Sequence, residues 1–174
     1  MTSPRQIIET LANAGILIVC VLIVLLFLSR KEFWLHKASS GSTDEVHFVG
    51  KKIADVPGYH WANHPETLVL AIRKGCPYCE ASLPFYKQLS GLEHQGKIHA
   101  HLLAVMPDGS STGNEELHGQ GIDIDGVFSQ PLASIQVLGT PTLLLLDASG
   151  KVKNAWVGQL SPVAETEVVA ALEK

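Results

Sequence analysis

Cys76 and Cys79 are the residues of this chain whose type and spacing point most directly to chemistry. They stand two residues apart, directly after the apolar run 67–72 and directly before the amphipathic stretch 80–92. A strand that delivers such a pair to the first turn of a helix is typical of thiol–disulfide exchange. The helix N-terminus stabilises the thiolate of the first cysteine, and that thiolate is the attacking species. The pattern therefore predicts Cys76 as the nucleophile and Cys79 as the resolving cysteine.

The same pair also fits a zinc site, because His94 and His99 follow at the spacing of a two-cysteine, two-histidine motif. In a zinc finger both histidines lie on one helix, whereas Gly96 separates these two and a strand pattern begins at residue 97. A zinc-stabilised binding module is therefore the alternative from a different class. The preferred redox interpretation needs no metal and no organic cofactor.

The bulk composition limits the classes of protein that this chain can represent. The chain has 174 residues, a formal net charge of −4 and three cysteines. This charge, without a long basic run, gives no indication of nucleic-acid binding. Because two of the three cysteines belong to one motif, the hydrophobic core rather than a disulfide framework must stabilise the fold. The length fits one domain and an additional element.

The additional element is an apolar segment near the N-terminus. Twenty uncharged residues separate Glu9 from Arg30, and a helix of that length spans about 30 Å, the thickness of a bilayer core. The residues that follow contain no small-residue cleavage site of the kind that ends a signal peptide. We therefore expect residues 1–35 to form an uncleaved signal-anchor, with one transmembrane helix at about 10–30.

A flexible polar linker at 36–44 is expected to join this anchor to a domain at 45–174. The apolar patterns of that domain predict an α/β fold. The expected elements are a short strand or hairpin at 46–53, strands at 67–73, 97–106, 141–146 and 151–157, a helix at 80–92 kinked by Pro84, a loop with one short helix at 107–130, and a C-terminal helix capped by Ser161. Strand, helix and strand in succession imply a parallel pair.

Three local features make this domain resemble the thioredoxin-like superfamily, and most of all its membrane-tethered TlpA-type thiol–disulfide oxidoreductases. They are Cys-Pro-Tyr-Cys at 76–79, Pro84 at the position of the proline that kinks the family's active-site helix, and Gly-Thr-Pro-Thr at 139–142 before a strand. The resemblance covers about residues 46–174. It implies a thioredoxin-like fold, with a central mixed sheet flanked by helices, and an oxidoreductase that acts on protein thiols and disulfides with an unidentified redox donor.

The resemblance also implies roles for residues near the cysteines. Pro141 is expected to follow a cis peptide bond, which would expose the backbone of Thr140 to an extended substrate segment. Gly75, Pro77 and Tyr78 are expected to be neighbours in the active site. A thioredoxin-like domain that only docks partners, without catalysis, is a third alternative.

The chain departs from the family at two positions next to the motif. Gly75 stands where thioredoxins usually have a tryptophan, and Leu70 stands where they have a buried acid. The proton acceptor supplied by that acid is therefore absent. The direction of exchange (reduction, oxidation or isomerisation) depends on the reduction potential and on the electron donor.

Two arguments disagree about the side of the membrane on which the domain lies. Arg30, Lys31 and Lys37 follow the apolar segment and only Arg5 precedes it, which favours a cytoplasmic domain. The resemblance favours the extracytoplasmic side of a bacterial inner membrane, where disulfide chemistry is most needed. The numbers of positive charges on the two sides differ by only one or two residues, so the argument from the resemblance has more weight. We therefore expect a single-pass protein with an extracytoplasmic redox domain.

Overall fold

The structure is a computed structural model that describes residues 47–107 and 109–173. The predicted anchor at 1–35 and the predicted linker at 36–44 lie outside the described residues. Within the described ranges, no helix combines the length and the apolar character needed to cross a membrane.

A five-stranded mixed sheet with helices packed against it forms the described domain. In chain order the elements are β1 (Glu66–Ala71), α1 (Pro77–Ala81), α2 (Leu83–His94), β2 (His101–Met106), α3 (Ser110–Gly119), β3 (Gly126–Ser129), β4 (Thr142–Asp147), β5 (Val152–Val157) and α4 (Pro162–Leu172). The strands lie side by side in the order β3-β2-β1-β4-β5. The predicted α/β class and the parallel pairing of β1 with β2 are both confirmed.

Strand β1 is the central strand, and its continuous apolar sequence follows from burial on both faces. Leu68 and Leu70 pack on one face, in a core that includes Phe85 and Leu89 of α2. Val69 and Ala71 pack on the other face. That second core is closed by side chains from the segment before β1 and from the short 3-10 helix before β4, namely Ile53, Val56, Trp61, Leu132 and Ile135. The sheet is therefore covered on both sides.

The segment 107–130, expected to be mostly loop, contains more regular structure than predicted. Helix α3 spans Ser110–Gly119, and β3 adds a strand parallel to β2. Strand β3 has only four residues, of which Val127 alone is buried. Its sequence is too short to show a strand period, and the strand exists because its backbone pairs with β2.

One predicted strand begins later than expected, and another does not form. Strand β2 begins at His101 instead of residue 97, since Gly96 adopts a left-handed conformation and the His99 N–H bonds to the Leu172 carbonyl of α4. The described part of the segment 46–53 belongs to none of the five strands of the sheet. Its backbone instead pairs locally with the start of β5, where the Gly50 N–H donates to the Val152 carbonyl at 2.8 Å.

The start of the last helix agrees with the prediction. Ser161 precedes α4, and its hydroxyl accepts a hydrogen bond from the Ala164 N–H at 3.3 Å. Pro162 is the first helical residue, where its missing N–H costs no intrahelical bond.

Gly150 is expected to be a position where alanine destabilises the fold. It lies in the β4–β5 turn at φ +78°, and an added Cβ would lie 2.6 Å from the Ile53 carbonyl oxygen and 2.6 Å from a ring carbon of Trp61. Gly150→Ala should therefore add a steric cost of about 1–3 kcal/mol to the cost of the left-handed backbone. The measurement is the free energy of unfolding from urea denaturation.

Gly158→Ala is the matched control, because Gly158 has φ +84° and no atom within 4 Å of an added Cβ. In this variant the free energy of unfolding should fall only by the cost of a left-handed backbone at alanine, about 1–2 kcal/mol. Equal losses in the two variants would contradict the packing described around Gly150.

Candidate active site

The chain reaches Cys76 through the end of the central strand. After β1, the Ile72 N–H still donates to the Val105 carbonyl of β2 at 3.1 Å. Gly75 then turns the backbone at φ +67°, a conformation that favours glycine. Cys76 is the N-cap of α1, with an extended backbone, and Pro77 is the first residue of that helix. The motif therefore sits at the carboxyl end of β1, as the sequence predicted.

Three polar groups surround the Cys76 sulfur. The Cys79 N–H donates to Sγ at 3.3 Å, and the Thr140 hydroxyl donates to the same atom at 3.5 Å. The Cys76 Sγ also lies 3.6 Å from the Thr140 carbonyl oxygen, which accepts from the thiol. Helix α1 has only five residues, so the two hydrogen bonds donated by the Cys79 N–H and the Thr140 hydroxyl, rather than a long helix dipole, provide the local stabilisation of a thiolate.

The two cysteines differ in burial and in acidity. Cys76 is partly exposed and Cys79 is buried. Burial alone would raise the pKa of Cys76, but the hydrogen bonds from Cys79 and Thr140 outweigh it and lower that pKa below its ordinary value. Burial, followed by the hydrogen bond to Cys76, raises the pKa of Cys79 to about 11. The outer thiol is therefore the more readily ionised one.

The loop before β4 lies against the cysteines and has the predicted cis bond. The Thr140–Pro141 peptide is cis, which confirms this part of the prediction. The loop is held by the Thr142 hydroxyl, which donates to the Gly139 carbonyl at 2.9 Å, and by the Gly158 N–H, which donates to the Pro141 carbonyl at 2.8 Å. The structure thus brings four predicted site residues together: Cys76, Cys79, Thr140 and Pro141.

Tyr78, an expected neighbour in the active site, is 63% exposed, whereas Phe85 of α2 is buried. The reason is that the chain breaks at Ser82 between α1 and α2, and Pro84 is near the first residue of α2. The kink predicted at Pro84 is therefore a change of helix, and the two helices do not share one face.

The zinc alternative, with Cys76, Cys79, His94 and His99, is not supported. His94 is the last residue of α2, so the length of this helix alone places it about 17 Å from the helix start. His99 is exposed and follows the helix end. Among the described residues, the one group with metal-ligating geometry contains neither cysteine. The zinc interpretation of this motif is wrong because the fold separates the histidines from the cysteines.

Sequence reasoning missed two features of the surroundings. One is a cleft of about 280 Å³ that reaches Cys79 and is lined partly by Arg73, Lys74 and Glu116. Glu116 comes from α3, which corresponds to the one short helix expected within 107–130, and it pairs with Lys74 at 3.2 Å. The other is Leu138, whose side chain is 93% exposed. Its place directly before Gly139 was the only signal that could have identified it.

Comparisons with known proteins bear on the fold. No family model matches the chain, and no curated protein matches its sequence. The solution structure of a thiol:disulfide interchange protein from Bacteroides sp. matches 72% of this chain and 91% of its own, with 16% identity and a TM-score of 0.55. This similarity confirms the predicted thioredoxin-like fold.

Two further solved structures match more weakly. A thiol:disulfide interchange protein of the thioredoxin family from Chlorobium tepidum covers 63% of this chain and 80% of its own, at 19% identity and a TM-score of 0.49. The exposed lipoprotein thioredoxin of Streptococcus pneumoniae covers 71% of this chain and 100% of its own, at 20% identity and a TM-score of 0.48.

We expect Thr140→Val to slow the alkylation of Cys76. Valine keeps the shape of the side chain but removes the O–H that donates to Sγ, so the pKa of Cys76 rises and less thiolate is present at pH 7. Loss of a hydrogen bond to a charged acceptor should slow iodoacetamide alkylation up to about tenfold. The measurement is the rate at Cys76 in the reduced protein, followed by mass spectrometry across pH.

Thr140→Ser is the control, because serine keeps the hydroxyl donor. It should keep the pH profile of the parent, whereas the profile of Thr140→Val should move to higher pH. If serine slows alkylation as much as valine does, the hydroxyl is not the group that stabilises the thiolate.

Proposed function

We propose that this protein is a membrane-anchored thiol–disulfide oxidoreductase that exchanges disulfides with extracytoplasmic protein thiols through its Cys-Pro-Tyr-Cys motif. The observation that carries this proposal is the difference between the two thiols of one motif. Cys76 is partly exposed and surrounded by donors that favour its thiolate. Cys79 is buried, with its pKa raised to about 11. Such a difference suits one attacking and one resolving cysteine.

The first step of the reaction uses the outer thiol. The Cys76 thiolate attacks one sulfur of a substrate disulfide and forms a mixed disulfide, and the other substrate sulfur leaves as a thiolate. In the second step Cys79 loses its proton and attacks Cys76 Sγ, which releases the second substrate thiolate. The substrate gains two electrons and the Cys76–Cys79 pair is oxidised to a disulfide. A separate dithiol donor must then return two electrons to this pair.

The surface around Cys76 supports a polypeptide substrate. The Thr140 backbone lies next to the sulfur, at the place where an extended segment could approach it. Tyr78 and Leu138 belong to the motif and to the adjoining loop, and both expose apolar side chains. Exposed apolar groups beside a reactive atom are typical of sites that bind another chain. We therefore expect the substrate to be a protein rather than a small thiol.

A non-catalytic docking domain is the remaining alternative. It could use the same exposed side chains, but it would not need two thiols of different acidity within hydrogen-bond distance of one another. The acidity difference therefore favours catalysis over docking alone.

The membrane anchor and the extracytoplasmic location rest on the sequence. The support for an anchor is the uncharged segment that ends at Ser29, with a length that matches a bilayer core. The support for the extracytoplasmic side is the need for disulfide chemistry there. The redox domain would then be tethered at the inner membrane of a bacterium.

Trapping of substrates tests the assigned roles. In the full-length chain with Cys20 replaced by serine, Cys79→Ser should accumulate covalent complexes with partner proteins, because the attacking thiol remains and the resolving thiol is gone. Cys76→Ser should accumulate few. The readout is the amount of dithiothreitol-sensitive high-mass species on non-reducing gels.

The double variant Cys76→Ser/Cys79→Ser serves as the background control. Equal trapping by both single variants would mean that the roles are wrong. Absence of trapping by either variant, together with no reduction of insulin disulfides by the parent, would reject the enzyme proposal and favour the docking domain.

The topology is tested by reporters fused after Lys174. An extracytoplasmic domain predicts active alkaline phosphatase and no fluorescence from a cytoplasmic reporter. The same fusions to a chain that lacks residues 1–35 should show the opposite pattern, since the export signal is gone. A bright cytoplasmic reporter on the full-length chain would place the domain in the cytoplasm.

A further inference from the structure

A second group of polar side chains lies at the opposite end of the central strands from Cys76. It consists of Glu93, His101 and Asp125, which we call the carboxylate–histidine cluster. His101 is the first residue of β2 and pairs with Thr67 near the start of β1. Cys76 follows the other end of β1, and a six-residue strand spans roughly 17–20 Å. The cluster is therefore separate from the cysteine pair.

The three side chains converge although they come from three different elements. One ligand atom from each residue lies within 4.8 Å of the others. His101 Nδ1 is 2.7 Å from an Asp125 carboxylate oxygen and 3.9 Å from a Glu93 carboxylate oxygen. The Leu102 N–H donates to both carboxylates, at 3.0 Å to Glu93 and 3.2 Å to Asp125. This shared donor fixes the two carboxylates side by side.

Two adjacent carboxylates need a positive charge between them. Their mutual repulsion is relieved either by a shared proton or by a bound cation. No Lys or Arg side chain forms a salt bridge with Glu93 or Asp125 in the described part of the chain. The basic group beside the two carboxylates is His101, whose ring nitrogen is also a metal ligand.

The imidazole nitrogen of His101 indicates which kind of cation the cluster would bind. Mg²⁺ and Ca²⁺ prefer oxygen ligands alone, whereas imidazole nitrogen together with carboxylate oxygen suits Zn²⁺ and its neighbours in the first transition row. The Leu102 N–H provides the outer hydrogen bond that holds ligating carboxylates in place. The cluster thus combines a mixed donor set with a supporting backbone donor.

The neutral form of histidine is the form that binds metal, and two aromatic side chains stack on the His101 ring. The His64 ring stacks on the His101 ring with centroids 3.6 Å apart and planes 9° apart. The Tyr59 ring also stacks on the His101 ring, with centroids 6.0 Å apart and planes 14° apart.

We propose that Glu93, His101 and Asp125 bind one divalent transition-metal ion, with Zn²⁺ as the best match to their donor atoms. The ion would join the end of α2, the start of β2 and the loop before β3. It would therefore stabilise the end of the domain away from the cysteines.

The test uses the full-length chain, without an affinity tag, in which Cys20, Cys76 and Cys79 are replaced by serine to remove thiolate ligands. Titration with ZnCl₂ in a calorimeter should show one ion bound per chain, and the melting temperature should rise with Zn²⁺. Asp125→Asn should weaken binding at least about tenfold, because it removes an anionic ligand. Glu93→Gln should weaken it to a similar degree.

Asp123→Asn is the matched control. Asp123 belongs to the same loop and lies 3.8 Å from another histidine, His94, but it is not part of the cluster. This variant should keep the parent affinity. Circular dichroism in EDTA checks that each variant is folded. If Asp125→Asn does not fold, the affinity of Glu93→Gln for Zn²⁺ provides the test.

Three results would overturn the proposal. The first is no Zn²⁺ binding by the serine-substituted parent, in which case the carboxylate pair holds a proton. The second is an equal loss of affinity in Asp125→Asn and Asp123→Asn. The third is parent affinity in a folded Glu93→Gln variant. None of these results depends on the redox activity, so the metal site and the proposed enzyme are tested separately.

Discussion

Burial of strand β1 on both faces and its pairing on both edges determine where the functional residues lie. Its antiparallel register with β4 pairs Ala71 with Thr142, which brings the loop containing Thr140 next to the cysteine motif. Its parallel register with β2 pairs Thr67 with His101, which places the carboxylate–histidine cluster at the other end. Because both faces of β1 are buried, a slip of one residue in either pairing would move its side chains from one core into the other. The register that protects the core therefore also sets the geometry of both sites.

The stabilisation of Cys76 affects more than its acidity. The hydrogen bonds from the Cys79 N–H and the Thr140 hydroxyl favour the thiolate, which exists only in the reduced protein. A pair whose reduced form is stabilised is a stronger oxidant. Leu70 supplies no acid behind the motif, so Cys79 has no carboxylate from that position to accept its proton.

The parts of the structure that sequence could predict are those encoded by adjacent residues. The cysteine pair, the proline after Thr140 and the cap at Ser161 each belong to a short motif, and β1 has an apolar run long enough to identify a central strand. The carboxylate–histidine cluster was not predicted, because Glu93, His101 and Asp125 meet only when the folded chain brings the end of α2, the start of β2 and the loop before β3 together. Strand β3 and the exposed Leu138 were missed for the same reason, since the rest of the fold determines their surroundings.

The break at Ser82 has a mechanical consequence for the cysteine motif. Helix α1 buries a single side chain, that of Cys79, whereas α2 buries four and is fastened to the core. The two segments therefore differ in stiffness, because resistance to displacement follows from the amount of packed surface. In the proposed reaction, a bond that forms between the two sulfurs would therefore displace the five-residue α1 more readily than α2. The accompanying movement would then be confined to little more than one helical turn.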